Sequence, residues 1–283
     1  MGCNVKQCPE TPALDEVEFS GHVWVQELPT GGKFRFQVTA SGLVTFATAQ
    51  QSFDTPATVP PQFRLAAELI NERLDRDALA ASTDDPSDVT FCGIATRNKG
   101  VEYDWHTVPA FVGVDIWSDR KDQFLPPDAA AGVFKQLGLP TLPAIEKELA
   151  AVHADFARYE DQVGFPESEW REGHAAGVLI RDKSGGRAAE WCREQNTVTA
   201  PEPQAAVDLA AEYATDKRIE QTVAELQADG HSVTVDTIRD RLVANVAREA
   251  YVDLFVDGEF VASLSAFQSA VAERVQQHQS TAD

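Results

Sequence analysis

The 283-residue chain contains one methionine, four cysteines, six histidines and eight lysines. Each shortage closes off a class of protein. Cys3 and Cys8 are near neighbours with no histidine beside them, and Cys92 and Cys192 stand in apolar contexts. A structural zinc site needs paired close spacings that supply four ligands. The histidines (His22, His106, His153, His174, His231 and His278) show no two-histidine helical spacing. These residues read as packing or surface groups, and no metal site is expected. No apolar run approaches the roughly 18–20 residues that span a bilayer, so no membrane segment is expected. The opening residues, MGCNVKQCPETPALDEVEF, lack a charged stretch followed by an apolar one, which predicts no secretory signal and a cytoplasmic location. No internal repeat or low-complexity tract interrupts the chain.

Acid is plentiful. Asp and Glu number 45 against 24 Lys and Arg, a net charge of −21 spread over the whole length instead of gathered in a tail. At ~1 M salt the Debye length is only ~3 Å, so carboxylate self-repulsion is screened in a salt-rich cytoplasm. An acidic protein from a moderate environment is the other reading. In both, the overall field opposes non-specific binding of polyanions, so a nucleic-acid site has to be a local basic pocket.

Hydrophobic residues make up 43% of the chain and aromatics 8%, which suits a folded globular protein of one large and one smaller domain. Residues 20–48 read as a meander, HVWVQEL, KFRFQVTA and LVTFATA, turning at Thr30-Gly31-Gly32 and Ser41-Gly42. Phe34, Phe36 and Val38 occupy one face of its second strand, and Lys33, Arg35 and Gln37 the other. The spacing of Leu65, Leu69, Ile70 and Leu74 predicts a helix over 61–81. Strands are expected at 89–95 and 110–117, and helices near 127–137 and 142–158. A strand at 175–182 and its partner at 187–192 flank a glycine-containing turn. Beyond Pro201, helices are expected at 205–227, 235–250 and 260–277. The fold class is therefore α+β over 1–198, with an all-helical domain over 199–283.

Five pieces stand in a telling order. Residues 27–36, ELPTGGKFRF, place Glu27, Gly31 and Arg35 as in E-K-x-D-G and the strand after it. Phe91-Cys92-Gly93-Ile94 is laid out like F-x-G-E, and FVGVDIW at 111–117 like an aromatic strand ending in Asp. Ala176-Gly177-Val178-Leu179-Ile180-Arg181 follows E-G-x-V-x-R/K, and Arg187-Ala188-Ala189 falls at K-x-K. Over residues 20–192 the chain resembles the RNA-ligase family of covalent nucleotidyltransferases, in particular the ligase-like proteins of salt-loving archaea. That resemblance implies an ATP-grasp-like nucleotidyltransferase fold of antiparallel sheets with flanking helices, followed by an appended helical domain. It also implies chemistry. A lysine amine attacks the α-phosphate of ATP to give a lysyl-adenylate, further cations stabilise the transition state, and carboxylates position magnesium and the ribose. Those side chains are replaced here. Leu28 stands at the nucleophile, Thr30 at the Asp, Ile94 and Ala176 at the two Glu, and Ala189 at the second Lys of the last motif.

Lys33, past a Gly-Gly pair, is the candidate displaced nucleophile; its alternative is a solvated strand lysine. Arg35, Arg181, Lys183 and Arg187 line one phosphate-binding patch if the two meanders face each other as in the family, and are otherwise surface cations. Phe111 and Trp117 border a base by stacking, or belong to the core. Three functions follow. The first is a ligase-like protein that no longer forms the lysyl-adenylate and binds nucleotide or RNA ends, or partners an active paralogue. The second is an ATP-dependent RNA ligase using Lys33, with ATP and magnesium as cofactors. The third is an interaction protein with an empty cleft.

Overall fold

The alternating run becomes β1 (His22–Glu27), β2 (Gly31–Val38) and β3 (Val44–Ala47), followed by the short β4 (Ser52–Phe53). Then come α1 (Pro61–Arg73), α2 (Arg76–Ser82), β5 (Val89–Thr96), β6 (Phe111–Ser118) and β7 (Gln123–Phe124). After them lie α3 (Pro127–Gln136), β8 (Ala144–Ala150), α4 (Ala157–Glu160), β9 (Gly177–Asp182) and β10 (Arg187–Trp191). The structure is a computed structural model that describes residues 6–160, 164–192 and 201–282. Cys3 lies outside the described residues. The chain divides into two units, Met1–Asn196 and Thr197–Asp283.

In the first unit the strands form two antiparallel sheets, in the orders β4-β3-β2-β5-β6-β7 and β10-β9-β1-β8. Alternation sorts their side chains into three layers. One face of the larger sheet presents Phe34, Phe36, Phe91 and Ile116 to Ile70 of α1 and Phe134 of α3. The Phe36 and Phe91 rings stack there with centroids 4.6 Å apart. The far face of the smaller sheet presents Val23, Val25, Val178, Ile180 and Ala188 to Tyr159 and Phe165. The facing sides meet in a third cluster that includes Leu28, Val112, Val114, Leu179 and Ala189. Both faces of each sheet are covered, so the polar residues on the facing sides are buried too: Gln26, Arg35, Gln37, Asp115 and Arg181 are all under 9% exposed.

A bulge breaks the alternation of β6. Cys92 pairs with Asp115 but Gly93 pairs with Gly113, leaving Val114 as an extra residue. Val114 and Asp115 consequently both reach the space between the sheets.

Three expectations need correction. The helix expected over 142–158 is strand β8, followed at some distance by the single turn of α4. Ile145 and Leu149 are four residues apart, a spacing that fits one helical turn and two strand repeats equally well. The open edge of β1 decides the matter, pairing His22 with Ala150 and Gln26 with Ala144. The helix over 61–81 is broken at Asp75, whose side chain caps α2 by accepting from Ala78 N.

The third correction concerns the second unit. Its first helix is two helices, α5 (Ala206–Tyr213) and α6 (Asp216–Ala228), separated where Thr215 caps α6. Next are α7 (Val235–Glu249), α8 (Tyr251–Leu254), β11 (Phe255–Val256), β12 (Glu259–Phe260) and α9 (Leu264–Ala282). The unit is therefore helical apart from a hairpin, which turns at Asp257-Gly258 with φ of 51° and 89°. Leu209, Ile219, Ile238, Leu242, Phe267 and Val275 belong to its own core.

Candidate functional site

β1 ends at Glu27, and the backbone of Leu28 extends the pairing by donating to Gly177 O at 2.8 Å. The Leu28 side chain projects between the sheets, 6% exposed. It is part of the lining of a cavity of about 460 Å³, within the range of small-molecule sites. Leu28, Leu179 and Ala189 line it from the smaller sheet, and Cys92, Ile94, Val114 and Asp115 from the larger. Lys33, Arg97, Lys99 and Phe63 also stand in the wall, as do Cys8, Pro9 and Thr11. Asp115 is the one carboxylate among the described lining residues.

Asp115 is already engaged. Arg181 Nη1 donates to its Oδ1 at 2.8 Å, and Arg187 donates to Oδ2 at 2.7 Å and to Oδ1 at 3.1 Å. Burial pushes the carboxyl pKa up, but the Arg181 and Arg187 guanidiniums outweigh it and hold the group below its usual range. Arg181 also donates to Gln26 Oε1 from Nε and Nη2, at 3.0 and 2.5 Å. The carboxylate thus meets two guanidiniums, and three more cations stand in the cavity wall. The acidic chain thus places Lys33, Arg97 and Lys99 around one cavity whose single described carboxylate is already paired.

Thr30 shows how these cations are positioned. Its Oγ1 donates to Arg97 O at 2.8 Å, its carbonyl accepts from Arg97 N at 3.2 Å, and its own N donates to the Tyr103 hydroxyl at 3.0 Å. The loop after β5 is therefore tied to the turn that carries Leu28. Gly32 leaves room for it, because a Cβ there would lie 2.8 Å from Arg97 Nη2 and 2.9 Å from the Phe63 ring. The Arg97 guanidinium lies over that ring, 4.7 Å from its centroid. Lys99 follows two residues on and lines the cavity, with much of its side chain still meeting solvent. Burial, with help from the Arg97 charge, pushes its amine below the ordinary lysine value.

The other candidates are dispersed. Lys33 lines the cavity and its Nζ donates to Pro9 O at 2.8 Å. Arg35 donates to Lys6 O at 2.9 Å and Thr48 O at 2.5 Å. Lys183 lies outside the cavity lining and pairs with Glu148 at 2.8 Å and Asp128 at 3.4 Å. Phe111 is fully buried in the phenylalanine core, its ring edge against Phe36, and Trp117 lies under the Lys6 ammonium, 3.7 Å from its ring centroid. Ala176 is buried in the layer between the sheets. Arg97, Lys99 and Phe63 were missed by sequence reasoning; the available signal was the Arg97-Asn98-Lys99-Gly100 run immediately after a strand. The donor set does not fit magnesium, since both oxygens of Asp115 face guanidiniums, and among the described residues no group of three or more His, Cys, Asp or Glu could hold a metal. No helix among them is long and apolar enough to cross a membrane.

No protein-family model and no curated protein matches the chain. Solved structures do. A Naegleria gruberi RNA ligase with PPi superimposes with a TM-score of 0.50 at 12% identity, over 66% of this chain and 56% of that one. The fold is that of the ligase nucleotidyltransferases. Form 1 of an archaeal ATP-dependent RNA ligase matches 99% of this chain and 67% of its own at 17% identity and a TM-score of 0.48. Form 2 of that description matches 87% and 64% at 20% identity and 0.45. The chain thus spans about two thirds of the archaeal ligase chains and little more than half of the Naegleria chain.

Proposed function

We propose that this chain binds the phosphate end of a nucleotide or of RNA, on a ligase fold that forms no lysyl-adenylate at position 28. One observation carries the reading: a cavity with a cationic wall of Lys33, Arg97 and Lys99 and hydrocarbon at Leu28, Ile94 and Ala189. A leucine cannot attack phosphorus, and isoleucine and alanine offer a metal nothing. The cations suit an anion. Residues 1–198 are assigned to binding and 199–283 to an accessory helical domain, similar to those appended to some RNA ligases, and the chain to the ligase-like branch of salt-loving archaea. The dispersed acid supports a salt-adapted cytoplasmic protein, and an active paralogue is the protein partner that fits a retired enzyme.

Titration calorimetry with ATP and with a 5′-phosphorylated oligoribonucleotide tests this. Saturable binding is expected, weakened about tenfold (~1.4 kcal/mol) by Lys99→Met. With α-labelled ATP and magnesium, no label survives denaturation. Absence of saturable binding by either ligand overturns the reading in favour of an interaction protein.

One observation favours a second reading. Lys99 presents a depressed amine to the same cavity, whereas Lys33 is held on Pro9 O. In this reading Lys99 is the displaced nucleophile: its nitrogen bonds the α-phosphorus, pyrophosphate leaves, and the amine proton passes to solvent. A covalent label that survives in Lys33→Ala and vanishes in Lys99→Ala establishes that reading.

A further inference from the structure

The segment from Lys6 to Leu14 crosses the space between the sheets as a strap, and its contacts fix its register. Lys6 O accepts from Arg35, Pro9 O from Lys33, and Pro12 O from Ala189 N at 3.0 Å. Ala13 bridges to Ala189, and Leu14 is buried. Cys8 is thereby held between the carbonyls that sit on Arg35 and Lys33. Arg35 is the cross-strand partner of Cys92. The register thus brings Cys8 over the strand that carries Cys92, and both residues line the same cavity. Cys8 is half-buried and Cys92 is 1% exposed, so a reagent entering the cavity meets Cys8 first.

We infer that Cys8 and Cys92 form a redox-modification site, whose disulfide bolts the strap across the cavity and keeps Lys33 and Arg35 on its carbonyls. The oxidant is a low-molecular-weight disulfide. Cys8 sulfur attacks it, forming a mixed disulfide, and the first small thiol leaves with the Cys8 proton. Cys92 sulfur then attacks Cys8 sulfur and expels the second small thiol with its own proton. Two protein thiols are oxidised, and one small disulfide is reduced to two thiols. Burial first, then the neighbouring Cys8, holds the Cys92 thiol well above its ordinary value, so the second step quickens as pH rises. The consequence for ligand binding rests on the phosphate-binding reading; the cross-link itself does not.

The full chain is incubated with oxidised glutathione, alkylated after denaturation and mapped by peptide mass. A Cys8–Cys92 linkage is expected, with Cys192 alkylated, and Cys8→Ser leaves Cys92 free. Cys8 carrying glutathione, or joined to Cys3, with Cys92 free overturns the inference. ATP titration of the reduced and oxidised chains then reads the gate. The oxidised form is expected to bind at least about tenfold more weakly, with recovery on reduction. A linked form that binds as well as the reduced one overturns the gate. Absence of binding by the reduced chain bears on the phosphate reading alone, since the map still decides the thiol pair.

Discussion

Asp115 is the side chain on which the polar layer turns. Replacing it by Asn leaves the Arg181 and Arg187 guanidiniums facing each other without their anion. The expected loss is about 3–5 kcal/mol, read from urea unfolding. Its folded pKa lies below the ordinary ~3.9, so the folded state binds fewer protons there than the unfolded chain. The resulting stability is present above about pH 4 and disappears as pH falls through the lower folded value. Asp115→Asn should flatten that acid limb. The Lys99 value is also lowered, which for an amine disfavours the charged form, and competitive acetylation at neutral pH is expected to modify it ahead of Lys121 and Lys135, with ATP protecting it. Leu28, Arg181 and Arg187 could be singled out in the sequence because each falls at a motif position. Their partners could not. Arg181 meets Asp115 across 66 residues of chain, and Lys99 belongs to no motif; its place depends on a hydroxyl at Thr30.

Among the elements, strands with buried faces announced themselves through alternating or continuous apolar residues, as in β2, β6 and β9. Breaks inside helical stretches did not, because Leu74 and Ala214 keep the apolar spacing while Asp75 and Thr215 restart the helix as caps. Thr215→Ala and Thr234→Ala should each cost about 1 kcal/mol in thermal or urea unfolding. Thr234 forms a capping box with Thr237 at the start of α7. Strand spacing makes a further prediction. A Cβ on Gly31 would lie 2.3 Å from Ala95 O and 2.4 Å from Ile94 Cγ2, so Gly31→Ala should destabilise by about 1–3 kcal/mol through overpacking. Backbone cannot move aside as a flexible side chain would.

Taken whole, the molecule sets a net charge of −21 against the cationic cavity of its first unit. The two should respond oppositely to salt. Thermal midpoints are expected to rise from low to moderate KCl as surface repulsion is screened, while affinity for ATP falls over the same range. A midpoint that drops with KCl would contradict the first half of that pairing. Composition made the surface legible at once, but not the cavity, because a handful of cations vanishes in a chain-wide sum. The extra residue in β6 has a consequence of its own. Removing Val114 alone would shorten the chain by one position and restore strict two-residue phase to the strand. Asp115 would stay opposite Cys92, on the face it shares with Arg181 and Arg187, and the deletion would cost the cavity only the Val114 side chain from its wall.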